Sequence, residues 1–197
     1  MTFTEHGRAA QSQRISTTEL AALIGADLDE LVPDPAPGQD PELRDRFVQQ
    51  LKDWQGDEIA SAVLMVLNAW TQMGGTLSYG VAASETSCFL LSRTVYPSGK
   101  FEIVFQHLRV RVPFDDDALR DEFRQRLNKI EGVDLPAVKL DFRPGFALKL
   151  LRQPQARDVL FDALEWFHSI ARGEKSSRTT GARETTSQPS DAVLSRA

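Results

Sequence analysis

The side chains in this sequence that are best suited to catalysis are those of one cysteine, Cys88, and three histidines. Cys88 lies within the apolar run Thr86–Leu91, and a cysteine in such a run is typically a buried structural thiol. The histidines are His6, His107 and His168, and none has a serine, cysteine or carboxylate at a recognisable catalytic spacing. A general base would therefore have to arise through convergence of distant residues in three dimensions.

Three consecutive aspartates, Asp115 to Asp117, are of the residue type that binds hard cations. They also immediately precede an apolar helical pattern. At such a position one aspartate can cap free N–H groups, and the others interact favourably with the helix dipole. We therefore predict a helix cap and no metal site. Gly74-Gly75 lacks the further glycines and the lysine of a phosphate-binding loop, so it is interpreted as a helix stop and no cofactor is expected.

A local basic surface is the remaining candidate site. His107, Arg109 and Arg111 alternate along a predicted strand, which would place them on one face away from the core. Arg143 follows in a predicted turn. The polar side of the next predicted helix adds Arg120, Arg124 and Lys129. Such a surface could bind a phosphate or an acidic partner, while the favoured alternative is a solvated face that pairs with neighbouring carboxylates.

Two helices are predicted to open the folded domain. Asp40 and Pro41 are an N-cap followed by proline at the first helical position, and a stripe of apolar residues then runs to Trp54. Gly56 separates this helix from a second, which runs from Asp57 to Met73. Because the second helix has almost no charge after Glu58, we expect it to be the most buried.

Near Gly74 the apolar spacing changes from helical to alternating. Residues 87–96 and 100–112 are predicted to pair as a hairpin around the turn Pro97-Ser98-Gly99. The alternation changes phase near Gln106-His107. We predict a β-bulge there, with a change of strand or sheet as the alternative.

The rest of the chain predicts an α+β fold, in which a small antiparallel sheet packs against about four helices. Helices are expected after Asp117 and after Pro154, with a short extended piece at 138–142 between them. The predicted organisation is a disordered start (1–15), a short helical segment (16–32), a proline-rich linker (33–40), a compact domain (41–172) and a disordered tail (173–197).

From Phe101 onward the order of features resembles an uncharacterised bacterial domain. The resembling residues are Phe101-Glu102-Ile103, Pro113-Phe114, Arg126-Leu127-Asn128 with Ile130 and Gly132, Arg143-Pro144, Leu148, and Leu164-Glu165-Trp166. The similarity covers about residues 100–167, and such domains occur beside nucleic-acid-processing or defence proteins. Since these are packing and turn residues, the resemblance implies a shared fold and assigns no functional residue.

The net charge of −5 argues against a general nucleic-acid or membrane-surface binder. The chain starts with no apolar signal segment and has no apolar run long enough for a membrane helix, so a cytoplasmic protein is expected. An excess of arginine over lysine indicates a bacterial source. The preferred hypothesis is a non-enzymatic module that binds another protein or itself. The alternatives are a nucleic-acid accessory using the basic surface, and an enzyme assembled from residues such as His107, Glu102 and Asp141.

Overall fold

The structure is a computed structural model that describes residues 32–33, 39–82, 84–137 and 143–173. The predicted disordered start lies outside the described residues, as do most of the helical segment 16–32, most of the linker 33–40, the extended piece at 138–142 and the tail beyond residue 173. Within the described part, five α-helices and a five-stranded antiparallel sheet confirm the predicted α+β fold.

The first two helices begin and end where the sequence predicts. Helix α1 spans Pro41–Gln55, and the Asp40 carboxylate caps it by accepting a hydrogen bond from the Glu42 N–H at 2.9 Å. Helix α2 spans Asp57–Gln72, and every residue from Ala62 to Leu67 is buried. The prediction that α2 is deeply buried is confirmed.

The sheet is a meander in which the spatial order of the strands follows the chain. The strands are β1 (Ser78–Ala82), β2 (Glu85–Leu90), β3 (Arg93–Tyr96), β4 (Lys100–Ile103) and β5 (Gly145–Ala147). The predicted turn at 97–99 joins β3 to β4, with Gly99 at φ +113°. The predicted strand 87–96 is in fact two strands, because Ser92 adopts φ +58° and the chain reverses there.

The prediction of a strand from Lys100 to Val112 with a bulge near Gln106 is wrong. Strand β4 ends at Ile103, and a short helix, α3 (Phe105–Leu108), follows. Phe105 and Leu108 are both fully buried, and their spacing of three residues places them on one side of a helical turn. The change of phase in the sequence therefore marks a helical turn rather than a bulge.

The two faces of the sheet have different surroundings. Cys88, Val95 and Phe101 are cross-strand partners and belong to the hydrophobic core formed with the helices. The remaining helices are α4 (Asp117–Leu127) and α5 (Pro154–Ala171), and a 3₁₀ turn at Leu148–Arg152 precedes α5. The opposite face carries alternate residues such as Thr94, Tyr96 and Glu102.

Candidate functional site

The predicted basic strand face does not form. His107 lies on α3, and Arg109 and Arg111 lie in the turn that follows it, so the three are not alternate residues of one strand. All three side chains are exposed. Arg120 is also not on the polar side of its helix, because only 3% of it is exposed.

The exposed segment Arg109–Val112, here called the RVRV loop, is nonetheless unusual. Val110 and Val112 are each 85% exposed, the highest values among the exposed large apolar residues of the described chain. Buried Leu108 precedes the loop and buried Phe114 follows it, so both ends are anchored in the core. The loop therefore presents two apolar side chains alternating with two arginines at the surface.

Arg143, the fourth predicted site residue, lies in a separate group. Its guanidinium Nη1 is 4.0 Å from Oε1 of Glu102 on β4. The Lys100 ammonium donates to Glu102 Oε2 at 2.7 Å, and the Tyr96 hydroxyl lies 3.4 Å from Glu102 Oε1. We call Tyr96, Lys100, Glu102 and Arg143 the Glu102 cluster.

The Glu102 cluster lies on the sheet face opposite the core. The side chain of Glu102 is only 8% exposed, whereas those of Lys100 and Arg143 are 46% and 56% exposed. Desolvation, followed by the negative charge of Glu102 and its hydrogen bond, raises the pKa of Tyr96 above its ordinary value. Tyr96 therefore stays protonated at neutral pH and can donate to the carboxylate.

The catalytic combination of His107, Glu102 and Asp141 receives no support from the described residues. Asp141 lies outside them, and His107 forms no hydrogen bond or ion pair with Glu102 in the part of the chain that the structure describes. His168 packs edge-on against Trp70, with 5.7 Å between ring centroids. Its imidazole thus lies against the aromatic core.

Sequence patterns gave no indication of the most unusual buried group, the guanidinium of Arg93. Arg93 is 1% exposed, and its Cζ lies 4.4 Å from the Trp70 ring centroid and 4.3 Å from that of Phe167. Phe123 is a third ring, at 5.7 Å. None of its three side-chain nitrogens has a hydrogen-bond partner among the described residues. Desolvation lowers the pKa of Arg93 to about 9, which still leaves a positive charge in the core at neutral pH.

Two other buried arginines share one local arrangement. Arg120 Nη1 donates to the carbonyls of Phe114 and Asp115 at 3.0 Å each. Arg157 Nη1 donates to the carbonyls of Leu151 and Arg152, at 2.7 and 3.0 Å. Each arginine is the fourth residue of its helix and ties down the segment that leads into that helix. These two arginines are therefore structural.

Two further arginines of α4 pair with carboxylates on the same helix. Arg124 Nε donates to Asp121 at 2.6 Å, and Arg126 Nη2 to Glu122 at the same distance. The Asp116 carboxylate accepts from the Ala118 N–H at 2.7 Å, which confirms the predicted aspartate cap. In the described ranges no group of three or more His, Cys, Asp or Glu residues is arranged to hold a metal ion.

Cys88 is fully buried, and burial raises the pKa of its thiol far above the ordinary value. We expect the native thiol to react with a disulfide reagent at least about 1,000-fold more slowly than the thiol of the urea-unfolded chain, because reaction requires opening of the core. Thiolate release followed at 412 nm measures both rates. Comparable rates would contradict the burial of Cys88.

No helix in the described part of the chain is both long and apolar enough to span a membrane. Comparison with known proteins gave no matching family model, no matching curated protein and no matching solved structure. The resemblance of residues 100–167 to a bacterial domain therefore stays a prediction, and function has to be argued from the geometry of the chain itself.

Proposed function

We propose that the protein is an interaction module that binds a partner protein through the RVRV loop. The observation that supports this most directly is the 85% exposure of both Val110 and Val112 on one anchored loop. Single exposed apolar residues are common on protein surfaces, whereas two on one short loop form a small apolar contact that favours a partner. Arginines beside apolar anchors are typical of binding interfaces.

The chemistry of the loop specifies the kind of partner. Arg109 and Arg111 alternate with the valines, so the matching surface has an apolar centre with carboxylates around it. The whole chain carries a net charge of −5, so the surface of the chain outside the loop repels an acidic partner. An acidic partner protein is thus oriented toward the loop, and a second copy of this chain is the alternative occupant.

The double substitution Val110→Ser and Val112→Ser tests this proposal. Burial of the two valines contributes about 1.5 kcal/mol each, so the double variant should bind its partner about 100-fold more weakly. The partner is first identified by photo-crosslinking from a probe at position 110 in host extract. Its Kd for the wild type and the variant is then measured calorimetrically with purified proteins.

Val81→Ser is the matched control, because Val81 is 65% exposed but lies on β1. Its Kd should equal that of the wild type. Equal affinity for the wild type and the loop variant would overturn the proposal. Salt-sensitive binding of labelled DNA or RNA that is lost in an Arg109→Ala/Arg111→Ala variant would instead assign the loop to nucleic acid.

A further inference from the structure

The Glu102 cluster carries more positive than negative charge at its exposed end. Its two cations, Lys100 and Arg143, face one carboxylate, so the local charge is +1 in a chain of net −5. Glu102 is almost fully buried, while its two cationic partners are about half exposed. A ligand arriving from solvent therefore meets ammonium and guanidinium groups first.

Glu102 does not accept hydrogen bonds from all of the N–H donors of Lys100 and Arg143. Arg143 is 4.0 Å from the carboxylate through one nitrogen, which is not the close, two-pronged pairing that arginine and carboxylates can form. Lys100 has three donor hydrogens, of which Glu102 takes one at 2.7 Å and the Arg143 carbonyl takes another at 3.5 Å. One Lys100 donor and most of the Arg143 donors thus remain available to an additional acceptor.

The backbone holds the two cations in place. Lys100 and Glu102 are on β4, and Glu102 is the cross-strand partner of Gly145 on β5. The Ile103 N–H donates to the Pro144 carbonyl at 2.8 Å, directly beside Arg143. A side chain at Gly145 would collide with the Phe101 carbonyl, so glycine is what allows this close approach.

A further polar group lies on the same sheet face. Ser87 is fully buried, and its hydroxyl has no hydrogen-bond partner among the described residues. Cys88 on β2 is the cross-strand partner of Val95 on β3. Because the two strands are antiparallel, the preceding residue Ser87 lies opposite the following residue Tyr96, and both are on the face opposite the core. The sheet face that carries the Glu102 cluster thus has a further buried polar group beside Tyr96.

We propose that Lys100 and Arg143 form a binding site for a phosphate group, with Glu102 as the positioning residue that orders the two cations and Tyr96 as the hydroxyl that donates to Glu102. A phosphate group has several acceptor oxygens, so it can accept hydrogen bonds from the ammonium and the guanidinium at the same time. This site is distinct from the RVRV loop and does not depend on the function proposed for that loop.

Titration of the full-length, ¹⁵N-labelled protein with inorganic phosphate tests the site. Amide shifts should concentrate at Lys100, Glu102 and Arg143, and calorimetry gives the Kd. Lys100→Met and Arg143→Met should each weaken binding by about tenfold or more, since each removes a charged hydrogen bond. Arg152→Met is the matched control, because Arg152 is 54% exposed and pairs with Glu58 away from the cluster.

The Glu102→Gln variant distinguishes a positioning role of Glu102 from a purely electrostatic effect of its charge on phosphate binding. Removing the negative charge makes the site more positive, so a purely electrostatic attraction predicts tighter phosphate binding. A positioning role predicts weaker binding, and tighter binding by Glu102→Gln would overturn that role. Parallel titrations with phosphoserine and with a nucleoside monophosphate show whether the natural phosphate belongs to a modified protein or to a nucleotide.

Two results would overturn the site itself. One is the absence of phosphate-dependent shifts at Lys100 and Arg143 at about 100 mM phosphate, well above the Kd of about 6 mM or less for a site with two charged hydrogen bonds. The other is equal affinity in the Arg143→Met and Arg152→Met variants. Both exchanges replace exposed side chains, so loss of folding is not expected to obscure either result.

Discussion

Replacement of Arg93 by methionine is expected to raise the free energy of unfolding by about 2 kcal/mol. The guanidinium is a buried charge with no carboxylate or carbonyl partner among the described residues, and an uncompensated buried charge is strongly unfavourable. Its contacts with Trp70 and Phe167 offset part of that penalty. Methionine has a similar length and flexibility, so it keeps most of the packing between the two rings. Urea unfolding followed by tryptophan fluorescence measures the difference.

Arg93→Ala is the informative comparison. It also removes the charge, but it leaves a cavity between the rings of Trp70 and Phe167. Alanine should therefore be less stable than methionine at this position by about 2 kcal/mol or more. A methionine variant less stable than the wild type would show that the attraction between the guanidinium and the rings outweighs the loss of its hydration.

Gly75→Ala is expected to lower the free energy of unfolding by about 3 kcal/mol. A Cβ atom at position 75 would overlap the indole of Trp70. That indole has nowhere to move, because it is 2% exposed, donates to the Thr76 carbonyl at 3.1 Å and stacks on Arg93. Overpacking against a fixed ring displaces several groups at once, and such changes lie at the upper end of overpacking penalties.

Gly80→Ala provides the matched control for that prediction. Gly80 lies in β1, and a Cβ there would approach only the ring edge of half-buried Phe89, at 3.2 Å. Its free energy of unfolding should change by less than about 1 kcal/mol, since Phe89 can shift toward solvent. If the two variants lost equal stability, backbone freedom of glycine rather than the Trp70 contact would explain both.

Local signals in the sequence predicted most elements of the fold. The Asp40-Pro41 start, the Gly56 break and the Pro97–Gly99 turn each depend on a few neighbouring residues, and each is confirmed. The prediction for the segment after Ile103 is wrong, because Phe105, Leu108, Val110 and Val112 also fit a strand whose alternation changes phase near Gln106. The first two are buried on a helical turn and the last two are exposed, so apolar character alone did not reveal burial.

The candidate sites were less predictable, because they depend on contacts between distant residues. Arg143 was identified from the sequence, but its partner Glu102 is 41 positions away and was assigned to a different hypothesis. The chain reverses direction at Ser92, just before Arg93, and no glycine or proline in the sequence indicates that turn. The sequence therefore does not predict that the Arg93 side chain points into the core. Arg120 was assigned to a polar face, whereas its hydrogen bonds to two backbone carbonyls hold it inside.

The order of the strands also has a consequence for assembly. Strands β1 to β4 are consecutive and joined by short turns, so the loop-closure entropy of pairing them is small. Strand β5 joins only after an intervening stretch of roughly 40 residues, so its docking carries the larger entropic penalty. Arg143 immediately precedes β5 and meets Glu102 only when that strand is docked. The strand with the largest entropic penalty for docking is thus the one that completes the charged cluster.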